Sequence, residues 1–278
     1  MSKIRTTFLW LGLFAGVSAF AFTDMDMDGV DDKIDQCPGT PFTDIVDEKG
    51  CSIESVLVQN HYDLIVGLAY SQYNYRQNSD TDTLTTSLQA DFYRGNLSAQ
   101  LALSYYNTDG DGYNDNGMND TTLSGYYAFK NVWRPGLTVQ VGGGLIFPTY
   151  DSAYDNNNLD IFASLHLDYK RGSANFFGGY TYTVVGDDDV VTDTFALRYQ
   201  NTNAFNIGAG YTFTPKIYGS LSYFHGDSIY EHVDATESLS VYGFYSIDTH
   251  WFVTGNYALG LNDATSDNYV ALRLGYYF

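Results

Sequence analysis

From about residue 60 to its end, the chain alternates apolar and polar side chains with a period of two, in segments separated by clusters of Gly, Asn and Asp. A period of two places successive side chains on opposite faces of an extended strand, so it dictates half-buried β-structure and leaves no room for an amphipathic helix. In the last segment Val270, Leu272, Leu274, Tyr276 and Phe278 point one way, and Tyr269, Ala271, Arg273, Gly275 and Tyr277 the other. Leu97, Ala99, Leu101, Leu103 and Tyr105 alternate in the same manner with Ser98, Gln100, Ala102 and Ser104. So do Leu159, Ile161, Ala163, Leu165, Leu167 and Tyr169 with Asp160, Ser164, His166 and Asp168. Composition agrees, since only 17% of residues are charged and the 26 tyrosines are joined by abundant Gly, Asn, Ser and Thr, as expected of an all-β chain with many turns.

A water-soluble sandwich shows the same alternation with its apolar face inward. Two features predict a membrane barrel instead. The segments run to about 10–12 residues, against the usual five or six, and Tyr, Phe and Trp gather at their ends, where the aromatic girdles of a transmembrane barrel lie. Phe278 closing the last strand resembles the C-terminal aromatic signature of bacterial outer-membrane barrels. That resemblance implies recognition of Phe278 by the barrel-assembly machinery and contact with outer-membrane lipid and lipopolysaccharide.

Connection lengths predict the topology, because such barrels have short periplasmic turns and longer outer loops. Short connections fall at Arg94-Gly95-Asn96, Asn131–Gly136, Arg171-Gly172-Ser173, Thr214-Pro215-Lys216 and Asp248-Thr249; long ones fall near 76–82, 108–119, 148–158, 225–235 and 261–267. With both ends of the barrel on one side, the strand number is even, about twelve. That requires residues 186–202 to be one long outer loop, long enough to hold a protruding hairpin, and not a further crossing through Thr192–Gln200.

The inward faces carry Asp63, Asp91, Asp160, His166, Asp168 and Arg273 among Ser, Thr, Gln and Gly. Acid-lined channels favour cations, so the expected function is a small pore, cation-preferring or nonspecific. Against it, Tyr93, Tyr106, Tyr126, Phe162, Tyr218, Tyr242, Phe244 and Phe252 also point inward, and in about twelve strands such bulk narrows or closes a lumen. The competing expectation is a non-conducting structural or adhesion barrel. A barrel enzyme needs a nucleophile with a base in reach; Ser164 with His166, and His225 near Asp227 and Ser228, lack the flanking motifs of the outer-membrane phospholipase and omptin families, so no enzyme is expected. Nucleic acid is excluded by a net charge of -20 and only 13 scattered Lys and Arg.

The first 58 residues follow other rules. Lys3 and Arg5, the apolar run Phe8–Val17 and the small-x-small triplet Ala19-Phe20-Ala21 make residues 1–21 a secretory signal peptide. Next stand Asp24, Asp26 and Asp28, then Gly29, Val30, Asp32 and Asp35. Oxygen ligands at positions 1, 3 and 5, a glycine at 6, a backbone carbonyl at 7, and oxygens at 9 and 12 form a calcium loop, and Ca²⁺ explains why carboxylates crowd together despite their repulsion. A partial copy recurs at Asn107, Asp109, Asp111, Gly112 and Asp115, with Met118 in the twelfth place.

Asp-x-Asp-x-Asp-Gly running into Cys37-Pro38 resembles a thrombospondin type 3 repeat, and Cys37 to Cys51 resembles the periplasmic linkers of OmpA-type proteins. The resemblance covers residues 24–51 and implies calcium binding with a local disulfide. Cys37 and Cys51 are also the only cysteines of an exported chain, which makes them most simply one disulfide, worth about 3 kcal/mol in the chain-entropy model. The expected organisation is therefore a signal peptide over 1–21, a calcium-binding repeat over 22–58 that is periplasmic, and an outer-membrane antiparallel β-barrel over 59–278.

Overall fold

The computed structural model describes residues 30, 35–37, 40, 46, 49–52, 60–74, 80–110, 113–150, 158–191 and 196–278. The signal peptide and the ligand positions Asp24, Asp26, Asp28 and Asp32 lie outside the described residues. The chain divides into two units, Met1–Ser55 and Val56–Phe278.

In the second unit the strands are β1 (Asn60–Asn74), β2 (Asp80–Arg94), β3 (Leu97–Gly110), β4 (Tyr113–Met118), β5 (Thr121–Phe129), β6 (Leu137–Phe147), β7 (Asp160–Arg171) and β8 (Ala174–Val184). The short β9 (Val190–Val191) and β10 (Ala196–Leu197) follow, then β11 (Thr202–Thr214), β12 (Ile217–Gly226), β13 (Thr236–Ser246), β14 (Trp251–Gly260) and β15 (Asn268–Tyr277). Each long strand pairs antiparallel with its neighbours in the chain, and β1 pairs with both β2 and β15, so the sheet closes on itself. β4 and β5 are two pieces of one stave, both paired to β3. The barrel accordingly has twelve staves. Closure removes the unpaired edges that would otherwise be exposed to lipid. At the seam the Phe278 N–H donates to the Tyr62 carbonyl at 2.9 Å.

The loop over 186–202 does not cross. β8 pairs directly with β11, and β9 with β10 make a separate two-stranded hairpin. The same loop is zipped to the next one by an isolated Tyr199–Tyr230 bridge and by Gln200, whose N–H reaches the Ile229 carbonyl. Over the described residues of the partial calcium pattern at 107–115, Asn107 pairs with Asn116, Asp109 with Asn114 and Thr108 with Asp115, in a β3–β4 ladder. Ladder pairing won there because Tyr105, Tyr106 and Thr108 continue the strand period up to the turn.

The predicted short connections all lie at one end. Three of them are two-residue hairpins, and in two of these Gly95 and Gly172 take φ values of 61° and 59°, which glycine adopts without strain. Arg94, Lys130, Arg134, Lys170, Arg171 and Lys216 sit at this end, whereas Asp187, Asp188, Asp189, Asp227, Glu231, Asp234, Asp263 and Asp267 sit at the other. At the turn end Asp248 accepts the N–H groups of His250 and Trp251, each at 2.8 Å, and those bonds hold its carboxyl below the usual range.

The apolar faces point outward. Leu68, Ile207 and Leu272 are 56, 64 and 62% exposed, while the buried apolar side chains among the described residues are only Tyr106, Phe252 and Ala271. A soluble protein cannot expose such a belt, so lipid is the solvent it was built for. The belt is rimmed by outward aromatic pairs at the turn end, Tyr211 with Phe213 and Trp251 with Tyr276. At the loop end the Tyr70 and Tyr257 hydroxyls donate to Asp82 and Asn268. An apolar ring with a wet polar tip belongs at such an interface.

In the first unit Cys37 and Cys51 are joined as a disulfide. Around it the Thr40 hydroxyl bonds the Gly50 carbonyl at 2.8 Å, the Gln36 N–H donates to Lys49, and Val46 bridges Ser52. Asp35 Oδ1 accepts the Cys37 N–H at 2.7 Å.

Candidate pore lumen

The strand period delivers one side chain in two to the barrel interior. Asp63, Asp91, Asp160, His166, Asp168 and Arg273 all occupy inward positions, as the sequence predicts, with Asp63 and Asp91 directly opposite each other across β1 and β2. Asp115 joins them, accepting the Tyr106 hydroxyl at 2.7 Å. Their partners decide what these carboxylates do. Asp91 accepts one amide from Gln89 and one from Gln100, both at 2.9 Å. Asp168 accepts the Asn175 amide at 2.7 Å, and Asp160 the Gly186 N–H at 2.7 Å. These donors are neutral, so they hold the carboxylates in place without cancelling their charge. Asp63 differs, because its Oδ1 lies 2.7 Å from His61 Nε2. Arg273 reaches no carboxylate; its Nη1 is 3.5 Å from Gln89 Oε1.

Several inward aromatic rings are seated on glycines. Tyr126 lies over Gly142 on the neighbouring strand, Phe162 over Gly144, Phe177 over Gly208, Tyr218 over Gly210 and Phe252 over Gly275. His166 and Asn206 lie over Gly179 from its two sides, and Arg273 over Gly67. At each of these glycines an added Cβ would run into that side chain. The missing Cβ thus leaves room for the neighbouring side chain over the strand backbone. On one wall the rings are contiguous, with centroid separations of 5.4 Å for Phe244–Phe252, 4.5 Å for Phe252–Tyr277 and 5.3 Å for Tyr277–His61.

Two recesses open on the opposite wall. One, of about 260 Å³, is bounded by Asp91, Tyr93, Ser98, Gln100, Tyr126, Gln140 and His166. The other, of about 210 Å³, shares Gln140 and His166 and adds Thr138, Asp168, Phe177 and Asn206.

Residues that strand-by-strand reading passes over are the amides Gln89, Gln100, Asn175 and Asn206, the His61 partner of Asp63, and the glycine seats. A signal for the seats exists: glycines at inward positions beside inward aromatics of the next segment, as in Gly142 and Gly144 between Tyr126 and Phe162. Among the described residues the enclosed Ser164 hydroxyl has no hydrogen-bond partner, His166 included. His225 faces outward, stacked on Phe205 at 4.9 Å and lying 3.2 Å from Glu237 and 3.7 Å from Asp227. The Ser228 hydroxyl meanwhile accepts the Tyr230 N–H.

No family model matches this chain, and no curated protein does. Solved structures do. An outer-membrane channel from Pseudomonas putida F1 superposes with a TM-score of 0.67 at 11% identity, covering 81% of this chain and 97% of that one. The β domain of the Bordetella autotransporter BrkA superposes less well, with a TM-score of 0.48 at 10% identity, over 79% of this chain and 99% of that one. Closed antiparallel staves, an outward apolar belt and a polar lumen together make this the fold of outer-membrane β-barrels.

Proposed function

We propose that the protein is an outer-membrane pore for small solutes that prefers cations, carrying a periplasmic calcium-binding repeat closed by one disulfide. The observation that carries the pore is the seating of the inward rings on glycines, which lines the lumen where the side-chain inventory alone would plug it. The cation preference rests on Asp91, Asp160 and Asp168, whose hydrogen-bond partners are all neutral and leave a negative lumen. Phe278, at the seam, is the residue that the assembly machinery would read.

Single-channel recording of the refolded, disulfide-intact protein under a salt gradient tests the reading. Discrete steps with a cation-directed reversal potential are expected. A folded, heat-modifiable but silent barrel would overturn the pore and favour a barrel that anchors its N-terminal repeat.

For the repeat, Asp24, Asp26, Asp28, Asp32 and Asp35 with the Val30 carbonyl form a hard-oxygen donor set that fits Ca²⁺. Asp35, held by the Cys37 N–H, fixes one end of that set to the disulfide. Asp26→Ala and Asp28→Ala are each expected to abolish calcium binding by calorimetry, and undiminished binding by both variants would sink the assignment.

A further inference from the structure

Among the lumen's features, the two recesses that meet at Gln140 and His166 call for a ligand more specific than an ion. We propose that they form a binding path for neutral polyhydroxylated solutes of disaccharide size or longer; this rests on reading the barrel as an open pore. Together the recesses reach the range of small-molecule sites, roughly 300–1,000 Å³. Their linings share Gln140 and His166, which places the two recesses side by side for a ligand with two linked rings.

The lining chemistry selects among ligands. A sugar ring presents hydroxyls that both donate and accept at its edge, and C–H groups on its faces. The wall answers both. Gln100 and Gln140 offer amides that donate and accept, and Asp91 offers acceptor lone pairs beyond the two amides it already takes. Because those amides fix the Asp91 carboxylate, little ordering is left for the ligand to impose. The flat surfaces come from Tyr126 in the first recess and Phe177 in the second. Tyr126 lies over Gly142 and Phe177 over Gly208, and each ring lines its recess.

Other ligand classes fit less well. No Lys or Arg lines either recess, while Asp91 and Asp168 do, so a uronate or phosphate would meet only repulsion. An apolar solute would displace water from the remaining polar groups of the lining, such as Gln140 and the free lone pairs of Asp91 and Asp168, without replacing its hydrogen bonds, at a cost of about 1–3 kcal/mol for each group left unsatisfied. No group of three metal-ligating side chains gathers among the described residues, which gives a cation passage without a stopping place.

The test is the single-channel current of the full-length protein with maltose or cellobiose on one side, compared with digalacturonate. Both neutral sugars are expected to interrupt the current in discrete blocks, and digalacturonate to leave it unbroken. Tyr126→Ala and Gln140→Ala should each weaken the block about ten-fold while conduction persists, the scale of one lost ring contact or hydrogen bond. A channel that conducts but is blocked by neither sugar overturns the proposal and leaves the pore standing, as does equal block by digalacturonate or block unchanged in both variants. A channel that never conducts overturns the pore reading itself, and this proposal with it.

Discussion

Replacing Gly179 and Gly210 together by valine is expected to leave the barrel folded and to cut its single-channel conductance roughly two-fold or more. Valine suits a strand, and both positions face the lumen, so no lipid contact is disturbed. The obstacles an added Cβ meets there are ends of side chains. At Gly179 they are His166 and Asn206, and at Gly210 the Tyr218 hydroxyl and Asn175. These groups must leave the wall, and the only open direction is toward the axis. Tyr218 also loses its 3.1 Å hydrogen bond to Asn175, the amide that holds Asp168, so the wall loosens as the rings advance. Gly243→Val is the control. That glycine faces outward with nothing within 4 Å of an added Cβ, and conductance should not change. Wild-type conductance from a heat-modifiable Gly179→Val, Gly210→Val barrel would show that the seats do not keep the lumen clear.

Neutralising two lumen carboxylates is expected to move the reversal potential most of the way toward zero. Asp160→Asn with Asp168→Asn preserves shape and hydrogen-bonding capacity but removes charges whose partners, Gly186 N–H and the Asn175 amide, are neutral. Counter-ions are drawn to such charges more strongly inside a low-dielectric wall than in bulk water. The measurement belongs at low ionic strength, because at 0.1 M salt the screening length is only about 10 Å. Asp63→Asn should do less, since His61 lies 2.7 Å from that carboxylate and partly offsets it. Selectivity unchanged in the double variant would remove Asp160 and Asp168 from the permeation path.

Much of this architecture is legible strand by strand. Leu272 and Arg273 are assigned to opposite faces by the period alone, and the structure places them so, with Leu272 at 62% exposure and Arg273 over Gly67. The twelve-stave count followed once residues 186–202 were taken as a loop, which the β8–β11 pairing bears out. The partial calcium pattern at 107–115 stays ambiguous in sequence, because a run of Asp and Asn is compatible with either an ion-binding loop or the exposed face of a hairpin. Composition cannot separate the two, and cross-strand pairing can.

The sequence by itself determined the alternation of faces along each strand and that Cys37 and Cys51 would join. These follow from local rules: the pleat and the cysteine inventory. Only the tertiary structure decided that residues 186–202 leave twelve staves, that Tyr126, Phe177 and Tyr218 are seated over glycines, and that Asp91, Asp160 and Asp168 keep neutral partners. Those facts depend on which residue of one strand stands opposite which residue of the next. Register is set by closure of the whole ring, and a single strand carries no record of its neighbour's offset.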